Sequence, residues 1–504
     1  MSDPRLWVGV VALIPALVIL ASFLQLDVER LRQSAVVAAS SMLLAAIGLA
    51  LSPRMRDFAI HTNALSWLSQ GEAILRINAF SSVLLPFAAA LWLLTVAVTP
   101  RAALDKGGLR RTAFATMITF ASFLTESGVL LWLLSAASVW NFRSALGDPE
   151  HRNQRRIVTV YLGVATIIFG IGVALLFGPG GGHSDMKQAG IWLIVIAALV
   201  RKGIVPFHAW IPEVFDRGRM GPAILFSAPQ IGAYITAVLI VPRATPMMLD
   251  LIAYLALGTA VYGAALALVQ SSARRACGYL FVSQSALVMA GLDCTSASAL
   301  TGSLILWLSA GLAFAGLARC ILVLEARRGR LDLTKYHGGY GRMPLFAISF
   351  LFMGLACTGF PGTLGFIGQE LLVDGAVDAF PVMGFAVIVA AALTGLAVLR
   401  MYFSLFCGRP DTPSHPGISF GLTRREAWTF VAVVLTLGIF GLLPRPLVDS
   451  RFIASDTILR ERQARRMHQT TAEMRQLAPI GRVEGAPRLP SARGRFSTLR
   501  SFAA

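Results

Sequence analysis

Leu199-Val200-Arg201-Lys202-Gly203-Ile204-Val205-Pro206-Phe207-His208-Ala209-Trp210 decides how this chain folds. Its flanks are apolar, yet two adjacent cations and a proline interrupt the run. Proline removes a backbone donor and clashes with the preceding turn, so a helix entering this stretch must break. A charge in hydrocarbon costs several kcal/mol unless it faces protein or water. A second stretch repeats the pattern: Thr358-Gly359-Phe360-Pro361-Gly362-Thr363-Leu364-Gly365-Phe366-Ile367-Gly368-Gln369-Glu370 places glycines and a proline inside an apolar run and then a carboxylate. Paired interruptions of this kind indicate two inverted repeats with an ion path at the breaks. The alternative is a pair of re-entrant loops that only pack. The charges carried by the interruptions favour the ion path.

Composition sets the surroundings. Of 504 residues, 56% are hydrophobic and only 14% charged, and the mean hydropathy is +0.69. A soluble domain needs more polar surface, so the lipid bilayer must cover much of this chain. Apolar runs fall at about 6–25, 33–52, 77–98, 112–124, 127–142, 157–177, 189–211, 223–242, 249–270, 276–292, 297–325, 345–373, 382–407 and 426–444. A crossing helix takes about 20 residues. The stretch 112–142 is one long helix or a hairpin turning at Thr125-Glu126-Ser127-Gly128. The hairpin is preferred, because a single helix of that length would overshoot the hydrocarbon core by about half. The first run, Leu6–Gln25, is long enough to span, and no cleavage site of a signal peptide is evident after it.

The net charge of +18 does not indicate nucleic acid, because the arginines sit in short loops and form no basic stripe interleaved with exposed aromatics. Alternate loops collect Arg101/Lys106/Arg110/Arg111, Arg143/Arg152/Arg155/Arg156, Arg217/Arg219, Arg274/Arg275, Arg327/Arg328/Arg330/Lys335 and Arg409/Arg424/Arg425, while 178–188, 243–248, 293–296 and 374–381 are nearly free of basic residues. The basic side is then cytoplasmic, in a bacterial-type inner membrane, with both termini outside. Two segments break the rule: 53–76, with Arg54, Arg56 and Arg76, and the basic tail 445–504. The tail carries an amphipathic stretch around Ile458–Gln476 and a Pro/Gly/Ser/Arg-rich end expected to be disordered beyond Pro479. It either lies along the bilayer, grips a neighbouring subunit or crosses once more. The 5 cysteines are scattered with no CxxC pair, so no iron–sulfur, zinc or disulfide framework is indicated, no cofactor motif is present, and any redox chemistry belongs to a partner.

The string Arg201–Trp210 with Ile211-Pro212-Glu213 resembles the K-x-x-x-x-P-F-H-x-W-L-P-D/E signature of the antiporter-like membrane subunits of respiratory complex I. That family also includes Mrp antiporter, energy-converting hydrogenase and DabB-type inorganic-carbon-uptake subunits. Ser272–Ser283, SARRACGYLFVS, is similar to its D-x-K-R-x-x-A-Y-S-S-x-S, and Phe360–Glu370 to its L-P-P-x-x-G-F-x-x-K/E-D/E. Arg400-Met401-Tyr402-Phe403, with Phe406 and Gly408, is also family-like, and the resemblance covers about residues 75–445. It implies an all-α polytopic membrane protein of about fourteen transmembrane helices, with inverted repeats at helices 4–8 and 9–13, each holding one broken helix. The count of apolar runs reaches the same arrangement. The chain then divides into helices 1–3 (1–111), a first repeat (112–242), a second repeat (249–407), a last helix (408–444) and the tail (445–504).

The resemblance also implies a proton path of buried Glu, Lys and His residues along the membrane axis. The fifth-helix glutamate is replaced by Leu133 in Trp132-Leu133-Leu134-Ser135; Glu126, two turns earlier, is either its substitute or a turn-exposed carboxylate. The seventh-helix lysine falls on Arg201, with Lys202 adjacent. Arginine cannot load and release a proton, whereas lysine can. Lys202 either points to the axis or snorkels with Arg201 to the surface. The eighth-helix lysine is Gln230, and the eleventh-helix lysine and histidine fall near Phe314 and Ala310, leaving Arg319 and Glu325 as ionisable groups there. The twelfth-helix position is Gln369 or Glu370, and the latter is the preferred functional carboxylate. Gln284 stands where some members carry a tenth-helix histidine, and His208 of the signature joins the candidate path. No residue is assigned to catalysis, a cofactor or a metal. The expected function is a proton-conducting subunit of a larger complex with other membrane and soluble subunits, coupled to quinone/NADH- or hydrogenase-type redox chemistry or to CO2 hydration. The loss of charge at Leu133, Gln230 and Phe314 supports an alternative, a membrane scaffold that anchors a soluble partner without conducting.

Overall fold

In the computed structural model, residues 4–24, 27–52, 58–60, 72–100, 104–146, 149–178, 184–218, 227–379, 381–408 and 423–477 are described. The chain is an all-α polytopic bundle. Its helices are α1 (Pro4–Ala21), α2 (Val28–Leu51), α3 (Ala79–Val98), α4 (Lys106–Ser122), α5 (Gly128–Ala145), α6 (Arg152–Phe177), α7 (Ser184–Lys202), α8 (Trp210–Arg217) and α9 (Ser227–Ile235). They continue as α10 (Pro246–Leu268), α11 (Ala273–Asp293), α12 (Ala297–Arg328), α13 (Pro344–Cys357), α14 (Leu364–Ala379), α15 (Pro381–Phe406), α16 (Arg424–Leu442) and α17 (Arg445–Leu477). Two three-residue strands, β1 (Phe58–Ile60) and β2 (Leu75–Ile77), pair antiparallel ahead of α3. Among the described residues, 8 helices are long and apolar enough to cross a membrane by length and composition. Arg54, Arg56, Arg101, Arg219, Arg409 and the tail end 478–504 lie outside the described residues.

Polar residues at the ends of apolar runs set the boundaries. The stretch 112–142 is a hairpin: α4 stops at Ser122, and the Ser127 side chain accepts from Leu130 N to start α5. Asn78 with Ser81, and Thr423 with Glu426, form reciprocal capping boxes at α3 and α16. Both breaks close in the same way. At the end of α7, Gly203 takes φ +70, Ile204 N donates to Leu199 O at 3.0 Å and Gly203 N to Val200 O at 3.2 Å. At the end of α13, Gly359 takes φ +72 and Phe360 N donates to Leu355 O at 3.1 Å. These are glycine-dependent Schellman closures, which any side chain with a Cβ would strain. A further shared device aims a side-chain donor at a backbone carbonyl beside each break. Trp210 Nε1 donates to Val200 O at 2.9 Å, and Gln369 Nε2 donates to Cys357 O at 3.2 Å.

Glycine also sets how closely the second repeat packs. A Cβ at Gly302 of α12 would lie 2.5 Å from Leu372 N and 2.7 Å from Gly368 O of α14, so the two backbones meet without side chains between them.

The segment 445–477 is ordered helix rather than loose tail. Arg451 donates to Phe80 O at 3.0 Å, Ser455 Oγ lies 3.0 Å from Thr301 Oγ1, Glu461 pairs with Arg76 at 3.2 Å, and Arg465 with Glu72 at 2.9 Å. All of these partners lie at the end of the bundle where α3 and α12 begin, so α17 lies across that end and does not cross again. Ion pairs also account for Arg76, a departure from the charge rule: its guanidinium meets Glu126 as well as Glu461. The opposite end is tied by Arg274–Glu325 at 2.5 Å, Arg330–Asp216 at 2.6 Å and Arg327–Glu426 at 2.7 Å.

Candidate functional site

Where α7 breaks, Arg201 and Lys202 turn inward. Arg201 is 0% exposed and Lys202 3%, so neither snorkels to a surface. Arg201 Nη2 donates to Thr166 Oγ1 of α6 at 2.8 Å and to Ser135 O of α5 at 3.3 Å, while its Nε and Nη1 have no hydrogen-bond partner. The Lys202 stem runs along α9, because Gly232 has no side chain to displace it: a Cβ there would stand 3.1 Å from Lys202 Cγ. Ser285 Oγ of α11 donates to Lys202 O at 3.1 Å.

Lys202 borders a cavity whose lining includes Gln230, Gln284, Trp307, Ala310 and Phe314. Gln230 also lines a second cavity with Thr116, Thr119 and Phe123. It therefore bridges the two spaces, held by a hydrogen bond from Trp307 Nε1. Just beyond Gln230, Thr236–Ile240 is a π-helical turn, a local widening that recurs at functional sites. Gln284 is buried with neither polar atom of its amide hydrogen-bonded, and Ser135 Oγ and Ser309 Oγ are also unpartnered. An unmade hydrogen bond on a buried group costs about 1–3 kcal/mol. Several beside two buried cations and two cavities form a polar row that packing alone does not call for. Gly365, at the start of α14, meets Ser309, and Gln369 lies one turn further on, which carries the row into the second break.

The other candidates fall at separate places. Gln369 is buried, whereas Glu370 lies on the exposed face of α14; the helix turns about 100° per residue, so only one of two adjacent side chains can face the row. Glu126 is buried rather than turn-exposed, because Arg76 Nη1 reaches both of its oxygens at 3.0 Å. Burial raises its carboxyl above the ordinary range, against the lowering by Arg76. Leu133 is exposed, so the register that equates it with an axial carboxylate directs that position out of the bundle. Arg319 is buried but donates to Thr99 at 3.4 Å near the end of α3, and Glu325 is engaged by Arg274. His208 sits in the first break, its ring edge-on to Tyr262 at 5.2 Å. Sequence reading missed Trp307, Thr166, Ser285 and Ser135. Each is an unremarkable residue in an apolar run, and only the fold brings it to the row.

We expect Glu370→Gln to leave thermal stability within about 0.5 kcal/mol of wild type, as for exposed positions generally. Gln369→Leu, which removes the bond to Cys357 O, should lower it more. Thermal unfolding of both variants checks the placement.

Residues 173–394 match the family described as NADH:quinone oxidoreductase/Mrp antiporter, TM. Subunit M of the NADH-quinone oxidoreductase of Buchnera aphidicola subsp. Acyrthosiphon pisum (strain APS) is 28% identical over 271 residues, 52% of this chain and 52% of that protein. The chain thus spans about half the length of the first curated relatives it matches. Subunit N from Halorhodospira halophila (strain DSM 244 / SL1) is 28% identical over 392 residues, 70% of this chain and 80% of that one. Among solved structures, a chain of respiratory complex I from Thermus thermophilus superposes with a TM-score of 0.80 at 18% identity, covering 90% of this chain and 99% of that one. A chain of the Mrp complex from Dietzia sp. DQ12-45-1b gives 0.78 at 18% identity, covering 90% and 96%. At these identities the superpositions establish a shared fold.

Proposed function

With residues 173–394 matching the NADH:quinone oxidoreductase/Mrp antiporter membrane family, and nearly the whole bundle sharing a fold with complex I and Mrp chains, we propose that this chain is a proton-conducting, antiporter-like subunit of a larger membrane complex. One observation carries the reading: Lys202, an ionisable amine, is buried at a helix break, opens on a cavity and adjoins the fixed charge of Arg201. Intramembrane ionisable groups facing a bundle interior mark proton relays. Arg201 remains charged and sets the local potential, while Lys202 gains and loses the proton. Gln230, Gln284, Ser309 and Gln369 supply uncharged hydrogen-bonding groups along the row. The coupled partners are further membrane and soluble subunits, and the energy comes from their redox reaction. Under the charge-asymmetry rule, the arginine-rich end faces the cytoplasm and α17 the opposite side.

The neutral Gln230 and Gln369 favour one rival, a scaffold that anchors partners without conducting. Deleting the chain and restoring it as wild type or Lys202→Met separates the two. Conduction predicts that both forms restore assembly but only wild type restores coupled proton transport. Equal transport by both would leave the scaffold.

A further inference from the structure

Asp293 ends α11, outside the polar row. It is 2% exposed, and neither carboxylate oxygen accepts a hydrogen bond. Its charged surroundings are Lys202 and, from α17, Arg462, both of which attract it. Arg462 is itself buried. Its Nη1 donates to Ala244 O at 3.0 Å and to Val241 O, while Nη2 has no hydrogen-bond partner and Asp250 also acts on it. Ser285, hydrogen-bonded to the Lys202 carbonyl, lies on the same helix as Asp293. The eight helical steps from one to the other span about 12 Å at about 1.5 Å per residue. A long, flexible lysine side chain and a short relay of water can cover that separation.

A buried carboxylate without hydrogen bonds is a poor structural element, because desolvating it is not offset by donors. Ionisable groups kept at such positions in membrane proteins serve ion movement. We infer that Asp293 is the terminal proton station of this path, taking the proton from Lys202 and passing it to the aqueous phase at the α17 end. The inference rests on the proton-conducting reading above. In the step, an N–H bond of the Lys202 ammonium breaks and an O–H bond forms on Asp293, with water carrying the proton between them. A neutral amine and a neutral carboxylic acid result. Release of the Asp293 proton to the outside restores the carboxylate, and uptake from the arginine-rich end restores the ammonium. Arg462 is a positioning residue: it fixes α17 over the mouth through the two carbonyls and presents positive charge to the emptied carboxylate.

The test uses the assembled complex in proteoliposomes, as wild type, Asp293→Asn and Asp293→Glu, with proton flux driven by a potassium diffusion potential. Wild type should conduct, Asp293→Asn should fall by about a hundredfold, the scale of a lost proton-transfer group, and Asp293→Glu should retain most of the flux. Conduction by wild type with unchanged flux in Asp293→Asn overturns the inference and leaves the broader reading intact. No conduction by wild type overturns both. A second measurement holds even if Asp293→Asn assembles poorly. Dicyclohexylcarbodiimide modifies protonated carboxyl groups, so its incorporation at Asp293, read by peptide mass spectrometry, should rise by about tenfold in Lys202→Met, where the attracting cation is gone. Incorporation unchanged by Lys202→Met would contradict the link between the two residues.

Discussion

Lys202→Met is expected to abolish proton conduction while leaving the protein folded. Methionine keeps the length of the stem that lies against Gly232, so the packing of α7 on α9 survives. It also removes a buried charge whose desolvation burdens the native state, and replacing buried charges by apolar groups of similar volume is often neutral or stabilising. What disappears is the one amine of the row that can exchange a proton. Loss of a proton-transfer group lowers rate by about 10²–10⁴, so flux should fall by at least about a hundredfold with thermal stability held or raised. Arg201 cannot substitute, since its guanidinium stays protonated. Flux and thermal unfolding measured on the same preparation check both halves of the expectation.

The second large effect concerns packing. Gly302→Val is expected to separate α12 from α14, because the added Cβ would lie 2.5 Å from Leu372 N and 2.7 Å from Gly368 O. Both are backbone atoms of a helix, so no side chain can swing away to make room. Overpacking typically costs about 1–3 kcal/mol, and a backbone clash on this scale should reach or pass the upper end. The row would open where Gln369 meets the second break, and assembled protein should drop together with flux. Thermal unfolding in detergent is the check, and a stability equal to wild type would contradict the close approach.

The breaks were legible because glycine, proline and charge are local signals that survive without tertiary context. Gly203, Pro206 and Gly359 indicate where helices must stop, and the structure stops them there. The direction of a side chain at a break was not legible: inward or snorkelling fitted Lys202 equally until α9 and α11 were seen to enclose it. Gln369 and Glu370 are adjacent, and the turn of the helix decides which faces the row, which the one-dimensional preference for a carboxylate could not anticipate. Glu126 read as a turn residue because its partner, Arg76, is 50 positions away. α17 read as tail because its composition is polar. Its buried arginines, Arg451 and Arg462, find carbonyl acceptors at the bundle end only once the chain is folded.

The central claim is that the chain conducts protons through Lys202. Its most direct test is voltage-driven proton uptake by proteoliposomes holding the assembled complex, measured side by side for wild type and Lys202→Met at equal protein incorporation. The expected result is rapid uptake by wild type and uptake at the rate of protein-free vesicles for Lys202→Met. Equal uptake by the two would contradict it.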